Sequence, residues 1–242
     1  MSEVDEEVLR YVARHPVVLV SHVQALLGLQ EQAAAERLVS LSAHGLVRLA
    51  PRLRNQLAGY QITRSGLAQI GSDLPVPRVD LRRYWHDIGV GCLWLAARNG
   101  VFGEIERVFS EREMRAADKA DAAAKYAFDL ELSPAVRAKA ADASFGIRLE
   151  SGATRGPVLM HYPDLVLVVP SGRLAVQLQL TGVGRDPLEA ILSGYGLKPS
   201  ITDVFFLVDS SAVAFAVRAS AARLGLARPV HVQKVHLDRD IR

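Results

Sequence analysis

The chain has 242 residues, half of them hydrophobic, with 29 Lys and Arg against 26 Asp and Glu, a formal net charge of +3. That size and apolar content suffice for one large or two modest domains with their own cores, and no stretch has the composition of a disordered tail. No apolar run is long enough to span a bilayer and the acidic start MSEVDEEVLR lacks a signal peptide's basic and apolar regions, so a cytoplasmic protein without membrane contact is expected. The single cysteine, Cys92, rules out an internal disulfide and a thiolate zinc site, and its apolar helical surroundings suggest core packing.

From the N-terminus, Val4, Val8, Leu9, Val12 and Ala13 repeat at helical spacing over residues 3–14, and His15-Pro16 stops the helix. Val17 to Val20 is a short β-like run, after which Ser21 is expected to cap a helix from His22 to Leu27 that ends at Gly28. A third helix is predicted from about Gln30 to Ala43, with Leu38 and Leu41 inward and Gly45 beyond its end. Leu46 to Leu49 and Tyr60 to Thr63 read as strands around a loop, Pro51 to Gly59, and Thr63 or Ser65 can cap a closing helix through Ile70. This is the element order of a winged helix-turn-helix. Residues 37–72 contain Arg37, Arg48, Arg52, Arg54 and Arg64 and no Asp or Glu, whereas the first 36 residues are acidic. The asymmetry predicts an electropositive face for double-stranded DNA. In that reading Gln30, Gln32 and Arg37 point from the third helix toward the major groove, while Arg48, Arg52, Arg54, Asn55 and Arg64 lie along phosphates.

Pro75-Val76-Pro77 marks a stiff linker, placed at 75–83 between a head of residues 1–74 and a body of residues 84–242. The body is predicted to open with a helix to about Asn99 rich in buried residues such as Trp85, Ile88 and Trp94. Phe102 to Phe109 reads as a strand, Ser110 caps an alanine-rich helix to about Ala127, and Ser133-Pro134 starts another helix. Beyond Gly146 the chain returns to strands. Asp186-Pro187 starts a helix through Ser193, Val204 to Val208 is an apolar strand, Ser210 or Ser211 caps a helix to Leu224, and Val230 to Val235 is the last strand. The whole reads as α/β, α+β overall, with a layered body.

The centre of the body is VLMHYPDLVLVVPSGRLAVQLQLT, residues 158–181, two buried strands joined by a polar turn. Asp164 stands at the mouth of the first strand, and Gln177 and Gln179 share one face of the second. This order, Pro-Asp, a turn, then a strand with two polar positions, resembles the PD-(D/E)xK nuclease superfamily. With Ser110-Glu111-Arg112-Glu113 and the helix ending at Tyr195, the chain resembles the replication-relaxation family of plasmid and mobile-element proteins over nearly its whole length. The resemblance implies a winged-helix head followed by a restriction-endonuclease-like body, and it places His86 in the same pocket as Asp164, Gln177 and Gln179. That family's strand motif reads glutamate, apolar, glutamate, where this chain has Gln177-Leu178-Gln179.

A nuclease of this type needs several anionic ligands to concentrate Mg²⁺, and here two of the three positions are neutral. The expectation is therefore no catalytic residue, no metal and no cofactor, with Asp164, Gln177, Gln179 and His86 as a vestigial pocket. A metal-dependent nuclease recruiting Glu104 or Glu106 is the alternative. His161 is a candidate general base or a structural residue, His231 and His236 have no cysteine neighbours for zinc, and Gly182-Val183-Gly184 reads as a flexible turn. The function expected is a sequence-specific DNA-binding regulator of transcription or of mobile-element replication and transfer. A homodimer is expected, with another protein of a replication or transfer complex as a possible further partner.

Overall fold

The computed structural model describes residues 2–128, 143–149 and 159–236. The chain is mixed α and β, α+β overall, and divides into two compact units between Gly103 and Glu104. The helix predicted from Ser133-Pro134 lies outside the described residues.

In the first unit, helix α1 (Glu3–Arg14) starts at a reciprocal cap: Ser2 Oγ accepts from the Asp5 N–H at 3.2 Å, and the Asp5 carboxylate accepts from the Ser2 N–H at 3.1 Å. One face of α1 buries Val8, Leu9, Tyr11, Val12 and Ala13. Helix α2 (Val20–Leu27) starts two residues earlier than Ser21 suggested, because the ring of His22, not a serine hydroxyl, binds the Leu19 N–H at 3.2 Å. Gly28, at φ 66°, closes α2 in the left-handed conformation. Helix α3 (Glu31–Ala43) turns Ala34, Leu38 and Leu41 inward. Strands β1 (Val47–Leu49) and β2 (Tyr60–Ile62) pair antiparallel, and Val18 bridges to Tyr60 on the other side. Thr63 caps the short helix α4 (Arg64–Gln69) by accepting from the Gly66 N–H.

Helix α5 (Tyr84–Arg98) belongs to this unit, although the sequence marks it as the start of the body. Tyr84 and Ile88 join Val17, Leu19 and Ala50 in one core, with Leu57, Val79, Leu81 and Trp85 packed around them. Residues 75–83 have no helix or strand, yet Val79 and Leu81 pack against that core, so the segment does not separate two bodies at this point.

The second unit begins with β3 (Arg107–Ser110), shorter than predicted because Gly100 and Gly103, both at positive φ, form turns before it. Helix α6 (Glu111–Phe128) follows directly. A separate hairpin of β4 (Ile147–Leu149) and β5 (Leu159–His161) is held to α6 by Asp118, whose carboxylate accepts from the N–H groups of Phe145 and Gly146 at 2.8 and 2.7 Å. Next come β6 (Leu165–Val169), β7 (Gly172–Gln179), α7 (Arg185–Gly196), β8 (Ile201–Val208), α8 (Ser211–Leu224) and β9 (Val230–Lys234). The sheet order is β3-β6-β7-β8-β9, antiparallel up to β7 and parallel from β7 to β9. The parallel pairs require crossovers, which α7 and α8 supply. Both helices pack on one face of the sheet, where Leu192, Tyr195 and Val217 meet Ala175, Val204, Phe206 and Val208. Burying each such side chain contributes roughly 1.5–3 kcal/mol.

Gly66 lies where α4 passes closest to the β1 approach. An added Cβ would sit 2.1 Å from the Leu46 carbonyl oxygen and 2.7 Å from Ile62 Cδ1. Gly66→Ala should therefore destabilise the first unit by about 1–3 kcal/mol, read as a lower midpoint of thermal unfolding. An unchanged midpoint would mean that the α4 contact is not close-packed.

Candidate functional site

The pairing of Leu165 with Val176 places Asp164 opposite the Gln177-Leu178 step of β7. Its carboxylate is buried, and Oδ2 accepts from the Leu178 N–H and from Gln177 Nε2, each at 2.8 Å. An ionised carboxylate only accepts, so Gln177 must present its NH₂ to Asp164 and its oxygen to His161 Nε2, 3.2 Å away. That nitrogen therefore carries the proton of a neutral ring. The hydroxyl of the fully buried Tyr195 is 3.4 Å from the same nitrogen. Asp164, Gln177, His161 and Tyr195 thus form one polar chain running from β6 through β7 and β5 to α7. His161 is not free at Nε2 to act as a base; its ring is held neutral chiefly by burial, against the pull of the Asp164 charge. Burial and the same carboxylate push the Tyr195 phenol well above its ordinary value.

Helix α6 also enters this cluster, since the Glu111 N–H donates to the Asp164 carbonyl at 3.2 Å. At the same turn Glu113 closes a capping box with Ser110, accepting from its hydroxyl at 2.9 Å and its N–H at 3.0 Å. Between these two glutamates, burial lowers the Arg112 guanidinium to about 10. The acidic residue that reaches this cluster from β3 and α6 is therefore Glu111, whose backbone bonds Asp164 and whose charge acts on the His161 ring, not Glu104 or Glu106. The Glu106 N–H bonds Val168 at the far end of β6, four residues from Asp164, roughly 13 Å along a strand. Gln179 also stands apart from Asp164 and donates to the Thr181 carbonyl at 2.6 Å. His86 lies on α5 in the first unit, where Nδ1 is 3.4 Å from Arg83 Nη2 and 3.5 Å from Asp87. Of the expected pocket, Asp164 and Gln177 meet directly; among the described residues no three His, Cys, Asp or Glu side chains are grouped to hold a metal.

In the first unit the arginines separate into two kinds. Arg48, Arg52, Arg54 and Arg64 are exposed, as is Asn55 at the tip of the hairpin loop. Arg52 gives one of its five N–H groups to the Gln56 carbonyl at 2.7 Å, and Arg48 Nε donates to Gln61 at 3.2 Å. Arg37 is different: its guanidinium is half-buried in an ion pair with Asp5 of α1. Sequence spacing puts Arg37 on the outer flank of α3, but the acidic start of α1 turns it inward. Gln30 and Gln32 are exposed, and Gln32 donates to Glu36 at 2.9 Å. The outward face of α3 thus carries Glu31 and Glu36 with its one arginine withdrawn, a poor surface for a polyanion.

Cys92 is exposed at the residue level, contrary to the core position expected, and its sulfur lies 3.2 Å from Nε2 of the buried His22. Because His22 Nδ1 accepts from Leu19, Nε2 carries the proton and donates to sulfur. Burial lowers His22 to about 4 and raises the thiol, so this is a neutral structural pair and not an activated nucleophile. His231 stacks on Phe205 and bonds Asp203 at 2.9 Å, while His236 is exposed near the end of the described chain. Gly182 and Gly184 are exposed in the loop before α7. Compared with known proteins, the chain matches no family model and no curated protein.

His22 makes stability depend on pH. Its unfolded pKa is near 6.5, so below that value the unfolded chain takes up a proton that the folded chain refuses. The contribution is complete above pH 6.5 and is lost as pH falls toward 4, on the order of 3 kcal/mol for the shift to about 4. Denaturant unfolding should show the stability gap between wild type and His22→Gln narrowing over that window; a constant gap would contradict a neutral, buried His22.

Proposed function

We propose that the protein is a DNA-binding regulatory protein whose first unit holds duplex DNA through the β1–β2 hairpin, and whose second unit is a nuclease-like body that does not cut. The observation that carries this reading is the exposure of Arg48, Arg52, Arg54 and Arg64 within a stretch free of acidic residues. Helices α1 to α3 followed by a hairpin support a winged helix-turn-helix, with the loop from Pro51 to Gly59 as wing. The resemblance to the replication-relaxation family gives the setting: control of replication, transfer or transcription of a mobile element in the cytoplasm. A symmetric dimer would place two hairpins on half-sites about one helical turn apart and offset the weak reading surface of α3.

The non-cutting body follows from charge. Asp164 supplies one buried anion, while Gln177 occupies its oxygen with an amide N–H and Gln179 bonds its own strand end. Mg²⁺ surrenders water reluctantly and favours anionic oxygens, so this set would hold it weakly. Supercoiled, linear and single-stranded DNA should all survive incubation with the protein in Mg²⁺ or Mn²⁺. Cleavage that disappears in Asp164→Asn would replace this reading with a metal-dependent nuclease.

The DNA contact is tested by fluorescence anisotropy of the full chain on duplex DNA over a salt series. Binding should weaken linearly in logarithmic coordinates, and Arg52→Ala with Arg54→Ala should lower the slope by about 1–2 across unrelated sequences. A wild-type protein with no salt-dependent affinity would overturn the reading, and an adaptor that contacts only protein would take its place.

A further inference from the structure

We infer that residues 77–83 are the second half of the nucleic-acid surface, a strip in which Arg78 and Arg82 extend the phosphate contact begun by the hairpin arginines. This rests on the DNA-binding reading above and assigns its footprint. Two buried glutamines carry the argument. Gln61, 1% exposed, donates from Nε2 to the Pro77 carbonyl, while its oxygen accepts from Arg48. Gln56, 6% exposed, accepts the Leu53 N–H at 2.7 Å and donates to the Leu81 carbonyl at 3.2 Å, while its own carbonyl receives Arg52. Each amide uses both ends, one on the hairpin and one on the 77–83 segment. A buried amide left without partners costs more than a satisfied one contributes, so each glutamine holds the segment against the hairpin.

Apolar contacts complete the junction. Leu57 of the hairpin loop and Val79 and Leu81 of the segment pack around Tyr84, whose hydroxyl donates to the Leu57 carbonyl. The loop and the segment therefore form one rigid surface, and the charges on both are fixed relative to each other. Asp80 turns the segment, accepting the Arg82 N–H on its carboxylate and the Arg83 N–H on its carbonyl, each at 2.9 Å. Arg78 and Arg82 are exposed, and no ion pair within the described residues engages either side chain. Arg83, by contrast, faces Asp87 at 3.9 Å and His86 at 3.4 Å, so it contributes less. Asp80 is the one exposed acid within the segment and subtracts from its charge.

The partner this surface fits is a phosphate backbone, not a set of base edges. Guanidinium groups on an irregular loop can follow phosphates at variable spacing, whereas base reading needs a helix or ribbon inserted in a groove. The face of α3, with Glu31, Glu36 and an Arg37 bound to Asp5, would be the edge of the footprint and not its centre.

The test uses full-length protein and a 20-base-pair duplex, with affinity measured by anisotropy between 50 and 200 mM salt. Arg78→Ala with Arg82→Ala should lower the logarithmic salt slope by about 1–2 and weaken binding roughly tenfold near 0.1 M salt. Lysine at both positions should restore the slope, which a merely structural role would not predict. Gln32→Ala should leave the slope unchanged. Equal thermal midpoints for the variants would exclude misfolding, and Arg82→Glu should reduce affinity beyond Arg82→Ala. If wild type binds with a steep slope and the Arg78, Arg82 variant keeps it, this inference fails while the DNA-binding reading stands. If wild type shows no salt-dependent binding, both fail together.

Discussion

Buried polar side chains that satisfy irregular backbone are the constraint on which most of this architecture depends. Backbone N–H and C=O groups cannot be left unpaired away from water, and segments outside helices and strands must find partners elsewhere. Gln56 and Gln61 supply them for the hairpin loop and residues 77–83, Asp118 for the turn into β4, and Asp164 for the Leu178 N–H. Each spans 14 or more residues of chain apart from the local bond of Gln56 to Leu53, so each fixes tertiary position as well as local shape. Removing one partner would strand a buried group, at about 1–3 kcal/mol.

The same requirement decides which charges are available for binding. Arg37 is withdrawn by Asp5 and Arg83 is drawn toward Asp87, whereas the glutamine clamps are neutral and leave Arg54, Arg78 and Arg82 to solvent. Had the loop been fastened by carboxylates, the fasteners would have cancelled the field of the arginines they hold. Amides provide the geometry of attachment without the charge, and a basic surface results from a chain whose net charge is only +3.

Much of the secondary structure was legible in the sequence, because it follows from period, caps and turn residues. The run from Glu3 to Arg14, the Ser210 cap of α8 and the hairpin turn at Pro170-Ser171 lie where pattern and punctuation put them. The misses share a physical origin in long-range contacts. Ser21 lost its capping role to the ring of His22, which folds back on Leu19. Residues 75–83 carry the prolines of a linker, but their alternate apolar residues Val79 and Leu81 pack on a core whose other members lie far earlier, from Val17 to Leu57, or just beyond, from Tyr84 to Ile88. At the candidate site, Asp164 and Gln177 were readable from strand register. The choice of Glu111 over Glu104 or Glu106 was not, since it depends on which end of β3 meets the start of β6.

The glutamine at 177 has a physical logic of its own. A glutamate in that place would bring a second carboxylate within hydrogen-bond distance of Asp164, in a buried setting where two like charges cannot both stay ionised without a cation. Such a site must hold a proton or a metal, and the fold is then coupled to whichever is present. The amide resolves the conflict internally: its NH₂ meets Asp164, its oxygen meets the proton of His161, and the chain of bonds ends near the buried hydroxyl of Tyr195. Asp164, directly before β6, is thereby tied to β7, β7 is tied to β5, and β5 approaches α7 where the Tyr195 hydroxyl lies 3.4 Å from His161 Nε2. The result is a hydrogen-bonded brace with a single carboxylate across the centre of the second unit, in which one amide serves both an acid and an imidazole.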